Sequence, residues 1–108
     1  MIHCSGGGQT KCLKYLPAPM RVVKDSLFVI PPVFDLIQKA SGADNREMLQ
    51  VFNMGCRMEI YTNEKDAQKM IDISRKFGVD AKIIGRVEDA SEKSLDVYLN
   101  NEKFTFIP

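Results

Sequence analysis

The run from Pro31 to Tyr61, PPVFDLIQKASGADNREMLQVFNMGCRMEIY, changes its hydrophobic period within one short stretch, and that change decides the fold class. Pro31-Pro32 presets φ for a helix start, and Val33, Phe34, Ile37 and Ala40 follow at helical spacing. Gly42 stands where a left-handed cap ends such a helix. Asp44-Asn45-Arg46-Glu47 has the spacing of a capping box, so a second short helix is expected to about Val51. Beyond Phe52-Asn53-Met54-Gly55 the period falls to two. Cys56, Met58 and Ile60 share one side and Arg57, Glu59 and Tyr61 the other, the pattern of a half-buried strand.

Outward from this run the same interleaving continues. Residues 1–4 read as the end of a strand, Gln9–Leu16 as a short helix stopped by Pro17 and Pro19, and Met20–Lys24 as a strand. Asn63 is a natural N-cap for the longest helix, to about Phe77, closed by Gly78. Its stripe of Ala67, Met70, Ile71, Ser74 and Phe77 requires a partner surface, so it is expected to pack on one face of the sheet. Ala81–Val87 is strand-like and Asp89–Ser94 a polar loop. Leu95–Leu99 and Phe104–Ile107 alternate around Asn100-Asn101-Glu102, and residues 88–108 read as a surface hairpin. The class is α/β (α+β), one domain with a mixed sheet and helices packed on it.

Composition narrows the function classes. The chain has 108 residues, 44% hydrophobic and 27% charged, the balance of an ordinary globular domain. No apolar run approaches the ~18 residues of a membrane span, and no basic-then-apolar signal opens the chain. Cys4, Cys12 and Cys56 are odd in number, widely spaced and accompanied by one histidine. That supports neither a disulfide framework nor a metal site, and points to a reducing, cytoplasmic compartment. Lys11, Lys14, Arg21 and Lys24 give residues 1–24 a positive charge with no acid to offset it. The excess is too small for nucleic-acid binding, and no nucleic-acid motif accompanies it. It is either a solvated edge or a face turned towards an anion.

The segment His3-Cys4-Ser5-Gly6-Gly7-Gly8-Gln9-Thr10 is the richest in chemical options. Consecutive glycines allow positive φ and a close approach of backbone N–H groups to a ligand, and a helix opening at Gln9 would add its positive pole. A tight structural turn accounts for the same residues. Neither a P-loop nor a dinucleotide fingerprint is present, since the Lys-Ser/Thr pair and the third spaced glycine are missing. His3, the only histidine, is structural or else a general acid/base beside a phosphate. Asn53 and Gly55 form a turn in which Asn53 bonds its own backbone, or Asn53 offers its amide to a ligand.

From Ile2 to about Val87 the chain resembles the C-terminal domain of the aminoimidazole ribonucleotide synthase family. That family shows a His-x-Thr-Gly-Gly-Gly loop, matched by His3-Cys4-Ser5-Gly6-Gly7-Gly8 with serine for threonine. It shows a Pro-Pro-x-Phe helix start, matched by Pro31-Pro32-Val33-Phe34. Glu-Met-x-x-x-Phe-Asn-Met-Gly is matched by Glu47 to Gly55, and Ile-Gly-x-Val by Ile84-Gly85-Arg86-Val87. Two departures stand out: Cys56-Arg57 precede Met58 where the family has an apolar residue and glycine, with Arg57 in place of a small residue, and the acidic metal-binding and Lys-containing motifs of the family's ATP-binding domain are absent from the 108 residues. The resemblance implies that residues 1–108 are a single, N-terminally truncated C-terminal domain lacking the family's ATP-binding N-terminal domain.

The resemblance further implies ATP-dependent ring closure of formylglycinamidine ribonucleotide to aminoimidazole ribonucleotide in purine biosynthesis. Magnesium and ATP would serve the full-length homodimer, with none bound to this fragment, which would be inactive alone. On that scheme His3 is the candidate acid/base. Ser5, Gly6, Gly7, Gly8, Asn53 and Gly55 would contact the phosphorylated ribonucleotide or ATP, and no residue here binds metal. Two other classes fit the same domain: a free-standing small-molecule-binding or regulatory module, and a related ATP-dependent synthetase. The Phe-Asn-Met-Gly run favours the aminoimidazole ribonucleotide synthase family over the related synthetase, and a start one strand-end before a glycine motif is not what a free-standing module leads one to expect.

Overall fold

The computed structural model describes residues 1–108 as an α/β fold with two sheets. The elements are β1 (Ile2–His3), a 3₁₀ segment (Gly8–Tyr15), β2 (Met20–Lys24), α1 (Pro32–Ser41), α2 (Asn45–Val51), β3 (Met58–Glu59), α3 (Glu64–Lys76), β4 (Gly85–Asp89), β5 (Ser94–Leu99) and β6 (Glu102–Phe106). The four-stranded sheet has the order β4-β2-β5-β6. β2 runs antiparallel to β4 and parallel to β5, and β5 antiparallel to β6, so the sheet is mixed. β1 and β3 form a separate antiparallel pair, with Ile2 opposite Glu59 and His3 opposite Met58.

Local signals set most boundaries. The Asp44 carboxylate accepts from the Glu47 N–H at 2.8 Å and starts α2, and the Asn63 side chain accepts from the Asp66 N–H at 2.9 Å and starts α3. Gly42, at φ +72°, closes α1 by donating its N–H to the Gln38 carbonyl. Asn100 and Asn101 both take positive φ, the two-residue turn that matches the twist of a hairpin.

The core lies between the four-stranded sheet, the 3₁₀ segment and α2. Val22, Leu95, Val97, Leu99 and Phe106 come from the sheet and meet Cys12, Leu13, Met48 and Leu49. The segment read as a helix over Gln9–Leu16 winds as 3₁₀, whose period of three stacks Gln9 under Cys12 and Leu13 under Leu16 on the buried side.

Three expectations need correction. The hairpin of residues 94–106 is no surface feature: β5 is an interior strand, with Leu95 and Val97 fully buried. The alternating hydrophobic pattern was legible, but the pairing of β5 with β2, more than seventy residues away by chain order, was not. The strand expected over Ala81–Val87 begins only at Gly85. Its partner β2 ends at Lys24 opposite Gly85, and one further bond, from Ser26 N–H to the Ile84 carbonyl, exhausts the ladder.

The third correction concerns α3, which does not pack its stripe against the sheet. No residue of α3 is buried: Ala67 and Ile71 are half-buried, Met70 is exposed, and the capping Phe77 is 81% exposed. Between Ala67, Met70, Ile71 and Ser74 on the helix and Val22, Phe28, Met58 and Val87 opposite lies an open groove of about 920 Å³. Asn63 capping and the first-turn acids Glu64 and Asp66 make the helix without that contact. Phe77→Ala should therefore change the unfolding free energy by no more than about 0.5 kcal/mol, against the ~3–5 kcal/mol of a core phenylalanine. Urea denaturation of the two proteins measures it.

Candidate functional site

The structure brings the two motif segments to one corner. Asn53 Nδ2 donates to the Cys4 carbonyl at 2.9 Å, and Asn53 Oδ1 accepts from the Gly55 N–H at 2.9 Å. The Asn53 carbonyl accepts from Gln9 Nε2 at 2.6 Å. One asparagine thus clasps the glycine loop from both ends while ordering its own turn, in which Met54 and Gly55 take positive φ. Asn53 keeps one amide hydrogen in reserve.

The glycines divide the labour. A Cβ on Gly8 would meet the Phe52 carbonyl oxygen at 2.5 Å and the Leu49 carbonyl oxygen at 2.8 Å, so Gly8 exists to let the loop seat on the end of α2. Gly7 has φ +91°, with the Lys11 side chain 3.5 Å from its would-be Cβ. Gly6 has open space around it and an ordinary φ. The N–H groups of Gly6 and Gly7 donate to no protein acceptor. Lys11 Nζ donates to the His3 carbonyl at 2.7 Å and to Ser5 Oγ at 3.1 Å, placing a cation on the same loop. The His3 imidazole lies exposed on β1 opposite Met58, with no side-chain partner to fix its orientation.

Beneath the loop is a buried polar network that the sequence pattern did not reveal. Lys24, 1% exposed, donates all three ammonium hydrogens: to the Gln9 carbonyl at 2.9 Å, to Gln9 Oε1 at 2.8 Å and to Glu59 Oε1 at 2.5 Å. The second Glu59 oxygen accepts from the Tyr61 hydroxyl at 2.6 Å. No buried side-chain nitrogen or oxygen is left unpaired. Of the strand expected over Cys56–Tyr61 only Met58–Glu59 forms, and this network reverses the facing of Met58, Glu59 and Ile60 while Cys56 stays buried and Arg57 exposed. Glu59, 5% exposed, faces inward beside Ile2, while Met58 and Ile60 are 47% and 45% exposed. Here a paired charge overrides two hydrophobic side chains. The signal available was a lysine closing an apolar strand and a glutamate within another. Either one alone reads as a solvated charge.

The three thiols surround this network and are buried and free. Burial, reinforced by the Glu59 charge, pushes the Cys4 thiol up to about 12, and burial raises Cys12 and Cys56 too. Thiols held protonated are poor nucleophiles, so none of the three is a catalytic candidate. Because the folded Cys4 keeps its proton above its ordinary value near 9, its contribution to stability is complete below pH 9. That contribution is lost as pH rises from about 9 to about 12. Denaturant midpoints should accordingly fall across that window. Ellman's reagent at pH 8 should find no reactive thiol in the native chain and all three after unfolding.

The acidic side chains gather nowhere into a cation site, since no group of three or more His, Cys, Asp or Glu side chains converges. The residues present therefore do not fit magnesium. They fit a phosphate better, through the Gly6 and Gly7 N–H groups and Lys11. No helix is long and apolar enough to cross a membrane.

The chain is similar in sequence to known proteins over most of its length. The family described as AIR synthase related protein, C-terminal domain, matches residues 1–98, which takes in the motif segments and β5 up to Tyr98. The phosphoribosylformylglycinamidine cyclo-ligase of Methanococcus vannielii is 36% identical over 92 residues, covering 85% of this chain and 26% of the relative. That of Staphylococcus carnosus is 33% identical over 97 residues, covering 88% and 28%, and that of Methanopyrus kandleri 38% identical over 87 residues, covering 81% and 25%. The chain spans about a quarter of the length of these relatives.

Proposed function

The chain belongs to the AIR synthase related family, and on that footing we propose that it forms part of an enzyme that closes the imidazole ring of formylglycinamidine ribonucleotide. The observation that carries this reading is the corner where the free Gly6 and Gly7 N–H groups, Lys11 and the Asn53 clasp meet. In the ring closure the formyl oxygen takes the phosphoryl group that ATP supplies. The amidine nitrogen then attacks the formyl carbon and phosphate leaves, giving aminoimidazole ribonucleotide, ADP and phosphate.

Within that scheme this chain binds and orients. The Gly6 and Gly7 N–H groups hydrogen-bond a phosphate of the ribonucleotide or of ATP, and Lys11 supplies long-range attraction. Ser5 lines the same loop, Gly8 keeps that loop seated on the end of α2, and Gly55, at φ +101° with Pro31 2.6 Å from its would-be Cβ, keeps the Asn53 turn packed on Pro31. Asn53 offers its remaining amide hydrogen to the substrate, and His3, at the strand end, exchanges the proton of the attacking nitrogen. Magnesium and the bulk of the ATP site belong to a further, N-terminal domain, in a homodimeric cytoplasmic enzyme. Phosphoryl transfer depends almost wholly on positioning and charge neutralisation, so residues 1–108 alone carry no cyclo-ligase activity.

The test is ATP-dependent formation of aminoimidazole ribonucleotide. The intact enzyme that carries this chain is expected to show it, and the purified 108 residues are not. Turnover by the 108 residues would refute the division of labour, and its absence from the intact enzyme would refute the function.

A further inference from the structure

We propose that Lys24 is a positioning residue for the glycine loop, acting through Gln9. This rests on reading that loop as the phosphate-binding element. Lys24 is anchored on one side by Glu59, itself held by Tyr61, and on the other grips both the carbonyl and the side-chain oxygen of Gln9. Gln9 is the second residue of the 3₁₀ segment, next to the loop, and its amide passes the restraint to the Asn53 carbonyl. Asn53 in turn holds the Cys4 carbonyl on the far side of the same loop. The chain of bonds therefore runs from the floor of the domain to both ends of Cys4–Gln9, leaving the Gly6 and Gly7 N–H groups free and fixed.

A buried ion pair is an unusual choice for stability alone, because well-packed apolar side chains of similar volume commonly serve as well or better. What apolar side chains cannot do is hold Gln9 by two oxygens at once. Lys24 lies below the loop and touches no ligand in this scheme, so its effect on binding is indirect. The distinction matters for its test, which must separate loop order from global stability.

The discriminating protein is the apolar replacement Lys24→Met, Glu59→Leu, Tyr61→Phe, which leaves no charge or hydroxyl stranded. In the 108-residue chain we expect the Val97 amide to keep its hydrogen-exchange protection. The Thr10, Gly55 and Cys56 amides, bonded to Gly7 and Asn53, should exchange at least about 10-fold faster. In the intact enzyme the same replacement should raise KM for the phosphorylated ribonucleotide about 10-fold with kcat little changed. Loop protection equal to wild type, or faster exchange with KM unmoved, overturns the proposal. Should the triple replacement fail to fold, Gln9→Met, which keeps the ion pair, decides between the same outcomes. A wild-type enzyme without ring-closing activity sinks the functional reading instead, and the exchange rates alone then decide the positioning role.

Discussion

Gly8→Ala should cost roughly 3 kcal/mol or more of stability, lowering the melting temperature of this chain by about 15 °C or unfolding it outright. Two penalties combine. Alanine at φ +52° is strained by about 1–2 kcal/mol, and the new methyl has nowhere to go. Its neighbours are the Phe52 and Leu49 carbonyls, which are backbone and cannot swing aside as a side chain would. Relief requires the loop to lift off α2, which breaks the Gln9–Asn53 bond at 2.6 Å. Circular dichroism melts of Gly8→Ala beside wild type test this, and a shift of only a few degrees would show that the loop is not seated as described.

Lys24→Met alone should be comparably severe, at about 3–5 kcal/mol, because it leaves Glu59 charged and buried without its partner. Both oxygens of Gln9 lose their donor in the same step. Against the ~5–15 kcal/mol that holds a typical domain together, that one substitution removes a large share. Adding Glu59→Leu to Lys24→Met should restore most of the loss, since the remaining cost is then three missing hydrogen bonds, two at Gln9 and one at the Tyr61 hydroxyl, instead of a stranded charge. Equilibrium urea unfolding of the single and double variants gives the comparison. A mild single variant, or a double variant worse than the single, would contradict the buried-pair account.

How far the sequence carried follows from which forces it displays. Capping residues act within one turn, so Asp44 and Asn63 placed the starts of α2 and α3, and Gly42 the end of α1. The same holds for the Asn53–Gly55 turn, whose internal bond is a local one. Long-range pairing leaves no such mark. The parallel registration of β2 on β5, and the inward turn of Glu59 to meet Lys24, each depend on a partner far along the chain. The stripe on α3 fails differently: its periodicity is real, but nothing within these 108 residues closes on it. Of the candidate site, the motif residues were legible and do share one corner. The pair that holds them there through the Gln9 side chain, Lys24 and Glu59 with Tyr61 behind, was not, because a buried charge looks like a surface charge until its partner is seen.

That corner also supplies a probe that separates folding from binding. Gly6 has open space where a Cβ would stand and needs no positive φ, so Gly6→Ala should leave the melting temperature of the intact enzyme unchanged to within a degree or two. If the Gly6 and Gly7 N–H groups approach a phosphate, the added methyl stands where the ligand must come. Steady-state kinetics of Gly6→Ala in the intact enzyme is the most direct measurement of the central claim. We expect KM for the ribonucleotide or for ATP to rise at least about 10-fold at unchanged stability. Wild-type kinetic constants in a normally stable Gly6→Ala enzyme would contradict it, and would leave the three glycines as a structural turn.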